Sequence, residues 1–231
     1  MHRFHVCTAA FVCAAGAAAT ASALSIPVGD FSFEDAPANG FDYNPNDPVP
    51  GNSAWDYAGG AGIVGQQFAF SDQTVATDGS QMNFLQGVGS VAQNIVDAAL
   101  VPLNGQTLYL SFDAAGRIIN PSDGEITVSI FDTGGGNQQD LGSFLIPIGE
   151  VSTNPALNGL RVMSRYEVAF TMPNFGDQFR IQISHGVPGG GDVTTLVDRV
   201  QLTTETTIPE PTAAALLALG GAGLAARRRR A

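Results

Sequence analysis

Hydrophobic and polar residues alternate at every second position in several stretches of the chain. The clearest is QTLYLSFDA, in which Leu108, Leu110 and Phe112 fall on one face of an extended chain. The same period of two occurs in three further stretches, 125–132, 164–171 and 178–184. Because successive side chains of a β-strand point to opposite faces, this alternation predicts half-buried antiparallel strands.

Clusters of Gly, Pro, Asn and Asp separate these stretches and predict turns between the strands. A helical turn is indicated only around 95–101, and the stretch 36–54, rich in Pro, Asn and Asp, is expected to form a long loop. About ten short strands with little helix predict an all-β fold, an antiparallel two-sheet β-sandwich of the jelly-roll type. The less regular apolar runs predict strands at 29–34, 63–70, 82–86, 90–95, 141–146 and 195–203.

The first 23 residues have the pattern of a secretory signal peptide. Arg3 lies near the start, a small and apolar stretch covers 6–19, and Ala21, Ser22 and Ala23 fit the small-x-small cleavage site. We therefore expect cleavage after Ala23 and export through the Sec pathway. The alternative is an N-terminal membrane anchor, for which the stretch is short and rich in alanine.

Removal of this segment leaves a predicted domain at 24–204, followed by a linker at 205–208. Both cysteines, Cys7 and Cys13, lie in the signal peptide, so the domain has no thiol for a disulfide, a nucleophile or a metal. The chain has no lysine, and 24–208 carries 20 Asp and Glu residues against five arginines. Such an acidic surface repels phosphate backbones, which excludes nucleic acid as a partner.

The tail, 209–231, combines three features in order. A Pro-Glu-Pro motif is stiff and extended because proline fixes its own φ and restricts the residue before it. The apolar run 213–226 would span about 21 Å as a helix, less than the roughly 30 Å of a bilayer core. Four arginines then provide a cytoplasmic stop. The tail is therefore expected to form a short hydrophobic helix that reaches the membrane marginally.

This arrangement resembles the bacterial PEP-CTERM sorting signal, also known as the ice-binding-protein C-terminal domain. Besides the apolar run, the matching residues are Pro209, Glu210, Pro211, Arg227, Arg228, Arg229 and Arg230. The resemblance implies transient anchoring in the inner membrane and cleavage near the motif by an exosortase, a membrane cysteine protease. The protein would then stay at the cell surface or be released outside. The alternative is a simple tail anchor.

The stretch TLVDRVQLT raises the question of a buried carboxylate. Strict alternation places Asp198 on the same face as Leu196, Val200 and Leu202. If this face packs on the core, Asp198 points inward, which is costly unless the carboxylate is paired or binds a cation. Calcium prefers oxygen ligands and suits an extracellular protein without cysteines. We therefore predict one structural Ca²⁺ ion and no organic cofactor.

A second resemblance rests on the stretches GDFSFEDAP, NSAWDYAGGAGI, DGSQMNFLQGVGSVAQNI and TLVDRVQL, which look like those of a galactose-binding-like jelly roll. Carbohydrate-binding modules with this fold commonly bind a structural calcium through a Glu near the first strand and an Asp in the last. The resemblance implies that Glu34 and Asp198 are the ligands. The alternative is a salt bridge from Asp198 to an arginine such as Arg117 or Arg180.

A sugar site would need an aromatic platform and planar polar groups. The candidates are Trp55, Tyr57, Tyr43 and Arg117, although packing in the core is the alternative for Trp55. Together these patterns predict a non-enzymatic envelope or matrix protein that binds extracellular polysaccharide. One alternative is a structural matrix protein without a specific ligand. The other is a secreted hydrolase, for which His185 is the one histidine outside the signal peptide and no G-x-S-x-G motif exists.

Overall fold

The computed structural model describes residues 23–35, 40–44, 54–66, 74–116, 124–133, 139–148, 152–153, 161–172, 178–185 and 193–206. The PEP-CTERM-like tail and the predicted signal peptide, except Ala23, lie outside the described residues. No helix among the described residues has the length and apolar character needed to cross a bilayer. The described ranges contain the short 3-10 helix Ala98–Leu103 and the strands β1 Ser25–Ile26, β2 Phe41–Tyr43, β3 Asp56–Gly65, β4 Gln81–Val96, β5 Thr107–Gly116, β6 Gly124–Asp132, β7 Gln139–Ile148, β8 Ser152–Thr153, β9 Arg161–Val162, β10 Ser164–Thr171, β11 Gln178–His185 and β12 Thr194–Thr203.

The main strands form one continuous antiparallel ladder in the order β10, β5, β12, β4, β11, β6, β7. Strand β3 pairs with β4, β2 with β3, and β1 with β12. Strand β4 has 16 residues and pairs with β12 through its first half and with β11 through its second half. Between the halves lies Gly87, whose φ of 58° favours glycine. One bent strand therefore belongs to both sheets of the sandwich.

The first sheet contains β10, β5, β12 and the first half of β4, and the second contains the rest of β4 with β11, β6 and β7. Phe170 of β10 and Phe179 of β11 belong to different sheets, yet their ring centroids lie 5.7 Å apart. The all-β antiparallel sandwich is therefore confirmed. The predicted alternating residues supply its buried layer, namely Leu108, Leu110, Phe112, Ile126, Val128, Ile130, Val168, Phe170, Phe179, Ile181 and Ile183.

Three predictions about individual elements are wrong. The strands expected at 82–86 and 90–95 are the single strand β4. The stretch 29–34 is not a strand, because Asp30 and Phe33 have φ values of 42° and 59°, which turn the chain. The long loop expected at 36–54 contains β2, which pairs with β3. The helical turn expected near 95–101 is present as the 3-10 helix.

Candidate functional site

Asp198, one of the two predicted calcium ligands, is completely buried on β12. Its Oδ2 accepts hydrogen bonds from the backbone N–H groups of Thr77 at 2.6 Å and Asp78 at 3.0 Å. Its Oδ1 accepts the backbone N–H of Arg199 at 2.7 Å. Burial raises the pKa of Asp198 to about 7, and these three hydrogen bonds act in the opposite direction.

Glu34, the other predicted ligand, holds the same segment, 77–81, from the other side. Its Oε1 accepts the backbone N–H groups of Ser80 at 2.7 Å and Gln81 at 2.6 Å. A Cβ at Gly79, where φ is 65°, would collide with the Glu34 carboxylate. Carboxylates from the two ends of the domain therefore fix the segment that leads into β4.

A β-bulge explains why strict alternation assigned Asp198 to the wrong face. The pairing of β12 with β5 shifts register between Asp198 and Gln201, and Arg199 has a φ of 46°. Because β12 has one extra residue here, Val197 and Val200 both face the main core, and so does Leu202. The predicted common face of Asp198 and Val200 is wrong, and Asp198 points away from the main core.

Glu34 and Asp198 contact the same segment, and the calcium site predicted from them stays a prediction. Calcium needs six to eight oxygen ligands, so these two carboxylates would require backbone carbonyls beside them. The described part of the chain contains no group of three or more His, Cys, Asp or Glu side chains placed to hold a metal ion. The alternative through Arg180 is wrong, since that guanidinium lies 2.9 Å from Asp56 instead. Arg117 lies outside the described residues.

Trp55, the first candidate for a sugar platform, is a core residue. It is fully buried, and its ring lies 5.2 Å from that of Phe33. Its Nε1 donates to the backbone carbonyl of Asp30 at 3.0 Å. A ligand on the surface of the folded domain has no access to this side chain, so its assignment as a ligand-binding residue is wrong.

We expect Trp55→Ala to lower the free energy of unfolding by about 3–5 kcal/mol, because a large buried ring is removed. We expect Trp55→Phe to cost about 1–2 kcal/mol, since the carbonyl of Asp30 loses one of its two donors, the indole N–H, and keeps the backbone N–H of Phe33. Urea unfolding followed by circular dichroism measures both values. In the unaltered protein, the emission of this single tryptophan should shift on unfolding and stay constant during a saccharide titration. A saccharide-induced change in emission would return Trp55 to the binding site.

The other two aromatic candidates do not assemble into a cluster with Trp55. Tyr57 is half-buried and packs against the main core. Tyr43 is exposed on β2, where its hydroxyl donates to Oε1 of Gln86 at 2.6 Å and its ring packs edge-on against Phe84. The predicted aromatic platform is therefore divided between the core and the β2 edge.

His185, the histidine of the hydrolase alternative, is buried at the end of β11. Its Nδ1 lies 3.0 Å from the backbone carbonyl of Gly87, at the bend of β4. Within the described residues, no serine hydroxyl or carboxylate forms a hydrogen bond with its ring. In this environment His185 stabilises the bend of β4 at Gly87.

A buried carboxylate on the outer face of the first sheet was not among the predicted site residues. Asp113 of β5 is 2% exposed and lies between two arginines. Its Oδ1 is 3.3 Å from Nη1 of Arg165 on β10, and its Oδ2 is 2.9 Å from Nε of Arg199 on β12. The second contact is an ion pair without hydrogen-bond alignment. Asp113, Arg165 and Arg199, with Ser111 and Gln201, form what we term the arginine network.

Arg165 crosses the face of the sheet and is fixed at both of its terminal nitrogens. Nη2 donates to Oγ of Ser111 at 2.7 Å and to Oε1 of Gln201 at 2.5 Å, and Nη1 donates to the carbonyl of Arg199 at 3.0 Å. Burial lowers the pKa of Arg165, and the charge of Asp113 opposes this effect. The outward positions of Asp113 and Arg165 in their alternating strands could have indicated this contact, whereas the bulge concealed Arg199.

A shallow cavity of about 190 Å³ adjoins the network where β1 meets β12. Phe31, which is 38% exposed, provides its aromatic wall. Gln201 belongs both to the cavity and to the network, so the apolar and polar parts are continuous. We term this the Phe31 cavity, and its lining residues are Ser25, Ile26, Pro27, Val28, Phe31, Val200 and Gln201.

The tail matches a known family model. Residues 207–230 match the PEP-CTERM protein-sorting motif. The chain carries a PEP-CTERM sorting motif. The predicted sorting motif is thereby confirmed, and it implies exosortase-processed export with membrane-associated sorting before processing. A search of curated proteins finds no match to this chain.

Solved structures resemble the sandwich. A cyclase from Fischerella sp. in its apo form is 17% identical with a TM-score of 0.52, covering 79% of this chain and 96% of that one. A Stig cyclase from Fischerella sp. TAU, in complex with an indole compound, is 18% identical with a TM-score of 0.50. The match covers 79% of this chain and 98% of that one. A carbohydrate-binding module, TmCBM61 in complex with β-1,4-galactotriose, is 14% identical with a TM-score of 0.44. The match covers 74% of this chain and 93% of that one. At these identities the likeness concerns the fold alone.

The PEP-CTERM motif begins immediately after the last described residues of the domain, whose two ends lie together. The backbone N–H of Leu24 donates to Oγ1 of Thr204 at 3.0 Å, beside the pairing of β1 with β12. The hydroxyl of Thr206 donates to the carboxylate of Glu167 on β10. The chain is therefore held on the first sheet up to the residue before the matched motif.

Proposed function

We propose that the sandwich domain of this exported protein binds extracellular polysaccharide, without catalysing a reaction, at the Phe31 cavity and the arginine network. The observation that carries the proposal is the position of Gln201. This residue lines the Phe31 cavity, and its side chain accepts a hydrogen bond from a fixed guanidinium group. An apolar wall beside immobilised planar polar groups is the combination that a sugar ring requires.

The two parts of the site suit the two faces of a pyranose. The C–H face of a sugar is apolar and would pack on the exposed ring of Phe31. The hydroxyl groups would bind to Gln201 and the edge of the network. Because Arg165 is already held by Ser111, Gln201 and the carbonyl of Arg199, little side-chain entropy is lost when a ligand binds.

Two further partners belong to the proposal. The exosortase and the secretion machinery act on the chain during export, through the PEP-CTERM motif.

A single structural Ca²⁺ would be held by Glu34 and Asp198 and would stabilise segment 77–81. The hydrogen bonds that both carboxylates already make to this segment support a structural role, since they fix the backbone at the start of β4.

The test is retention of the exported protein on the polysaccharide secreted by the producing cells. We expect Phe31→Ser to weaken retention at least about tenfold, because the apolar wall is lost. Leu145→Ser is the matched control, since Leu145 is 61% exposed on the outer face of the second sheet. Thermal unfolding of each variant separates loss of binding from loss of folding.

The control also distinguishes the alternatives. Loss of retention in Leu145→Ser, with Phe31→Ser unchanged, would move the site to the second sheet and contradict the Phe31 cavity. A folded protein that is not retained at all, with or without calcium, would instead support the structural matrix protein without a specific ligand.

A further inference from the structure

In the arginine network, only one of the three nitrogens of the Arg199 guanidinium group contacts another described residue. Arg199 contacts Asp113 through Nε alone, at 2.9 Å, and its side chain is 37% exposed. Within the described part of the chain, neither of its two terminal nitrogens has a hydrogen-bond partner. Arg199 therefore presents two NH₂ groups of a planar guanidinium to solvent.

The orientation of Arg199 is set before any ligand arrives. Its φ of 46° is uncommon for a residue with a side chain and follows from the bulge in β12. The carboxylate of Asp198 accepts its backbone N–H at 2.7 Å, and Asp113 anchors its Nε. Two buried carboxylates thus hold one arginine with its terminal nitrogens outward.

The position and charge of this arginine indicate what it would bind. Arg199 directly precedes Val200 and Gln201, which line the Phe31 cavity. Two guanidinium groups of the network contact the carboxylate of Asp113, in a region of the chain, 24–208, that has 20 acidic residues and five arginines. Most of the domain repels an anionic polymer, whereas this site offers the donor geometry that matches a carboxylate.

We propose that the polysaccharide bound at the Phe31 cavity is acidic, and that the terminal nitrogens of Arg199 bind the carboxylate of a uronic acid residue in it. This proposal rests on the proposed function and specifies the ligand class at the same site. The sugar ring lies against Phe31, and its carboxylate accepts hydrogen bonds from Arg199. No covalent step is involved.

The experiment compares short oligomers of galacturonic acid with their methyl esters, which have the same sugar chain without the charge. Calorimetry with the exported protein should give a dissociation constant on the order of tenfold lower for the free acid. Arg199→Gln should weaken binding of the acid more than binding of the ester, and so remove this difference. Raising the salt from about 50 to about 300 mM should weaken binding of the acid and leave the ester unaffected.

The matched control is Arg180→Gln, which removes an arginine paired with Asp56 on the second sheet. Equal affinity for acid and ester, an unchanged preference in Arg199→Gln, or the same loss in Arg180→Gln would each overturn the inference. If neither oligomer binds while retention on the native polysaccharide still depends on Phe31, the uronate inference is wrong and the proposed function stands. If that retention is absent as well, both are wrong.

Discussion

In the presence of a chelator, the domain is expected to lose stability as the pH rises from about 5 to 8. Burial raises the pKa of Asp198 to about 7, and burial likewise raises that of Asp30 to about 6, from an ordinary value of 3.8. At a pH between the ordinary pKa and the raised pKa of each group, the folded state binds more protons than the unfolded chain. Raising the pH through this range therefore favours unfolding. Asp198 alone would account for at most about 3 kcal/mol of the loss between these pH values.

Calcium should reverse this trend if Glu34 and Asp198 bind it. The ion binds ionised carboxylates and competes with protons, so its stabilising effect grows as the pH rises. We therefore expect calcium to raise the melting temperature more at pH 8 than at pH 5. The measurement is thermal unfolding at both pH values, with chelator and with calcium.

Two variants separate the contributions. Asp198→Asn should flatten the dependence of stability on pH and remove the calcium effect, whereas Asp42→Asn, at an exposed carboxylate on β2, should change neither. A melting temperature that does not fall from pH 5 to 8 in chelator would mean that the three N–H groups keep Asp198 ionised in the folded state. The absence of any calcium effect would contradict the metal prediction.

Asp113→Asn is expected to lower the free energy of unfolding by about 3 kcal/mol, the second large effect. The carboxylate is 2% exposed and neutralises Arg165 and Arg199 on either side. An amide has a similar size, but it removes the charge with which two neighbouring guanidinium groups pair. Equilibrium unfolding in urea measures the difference.

The same experiment on Arg199→Gln should show a cost below about 1 kcal/mol, because this side chain is partly exposed, solvent screens its ion pair, and Asp113 keeps its contact with Arg165. The network would then be asymmetric, with Asp113 required for stability and Arg199 available for a ligand. Similar costs for the two variants would contradict this division. Asp42→Asn serves again as the control for removal of an acidic side chain.

The sequence predicted the strands that alternate regularly and have one buried face. In β5, β10 and β11 the apolar residues that recur at every second position pack in the core. The reason is that the pleat of a strand determines which side chains share a face. The PEP-CTERM motif was also predictable, since its proline, apolar and arginine parts are contiguous in the chain. Local pattern alone is sufficient for features of this kind.

The same reasoning failed where a single residue changed the geometry. The bulge at Asp198 shifted the faces of β12, and the positive φ values of Asp30 and Phe33 turned an apparent strand into a bend. Neither departure has a signature in residue type, because the side chains involved are not glycines. For Trp55 the sequence left both a sugar platform and a place in the core open, and packing against Phe33 buries it completely.

By itself, the sequence determined the all-β class, the regular strands, the acidic surface and the sorting motif, all of which depend on composition or on residues near each other in the chain. Only the tertiary structure decided the arginine network and the Phe31 cavity. Their residues come from strands that are distant in the sequence and adjacent in the sheet, so Asp113, Arg165 and Arg199 become neighbours only when β5, β10 and β12 pair. Strand pairing is a long-range choice, and no local pattern in this chain specifies it.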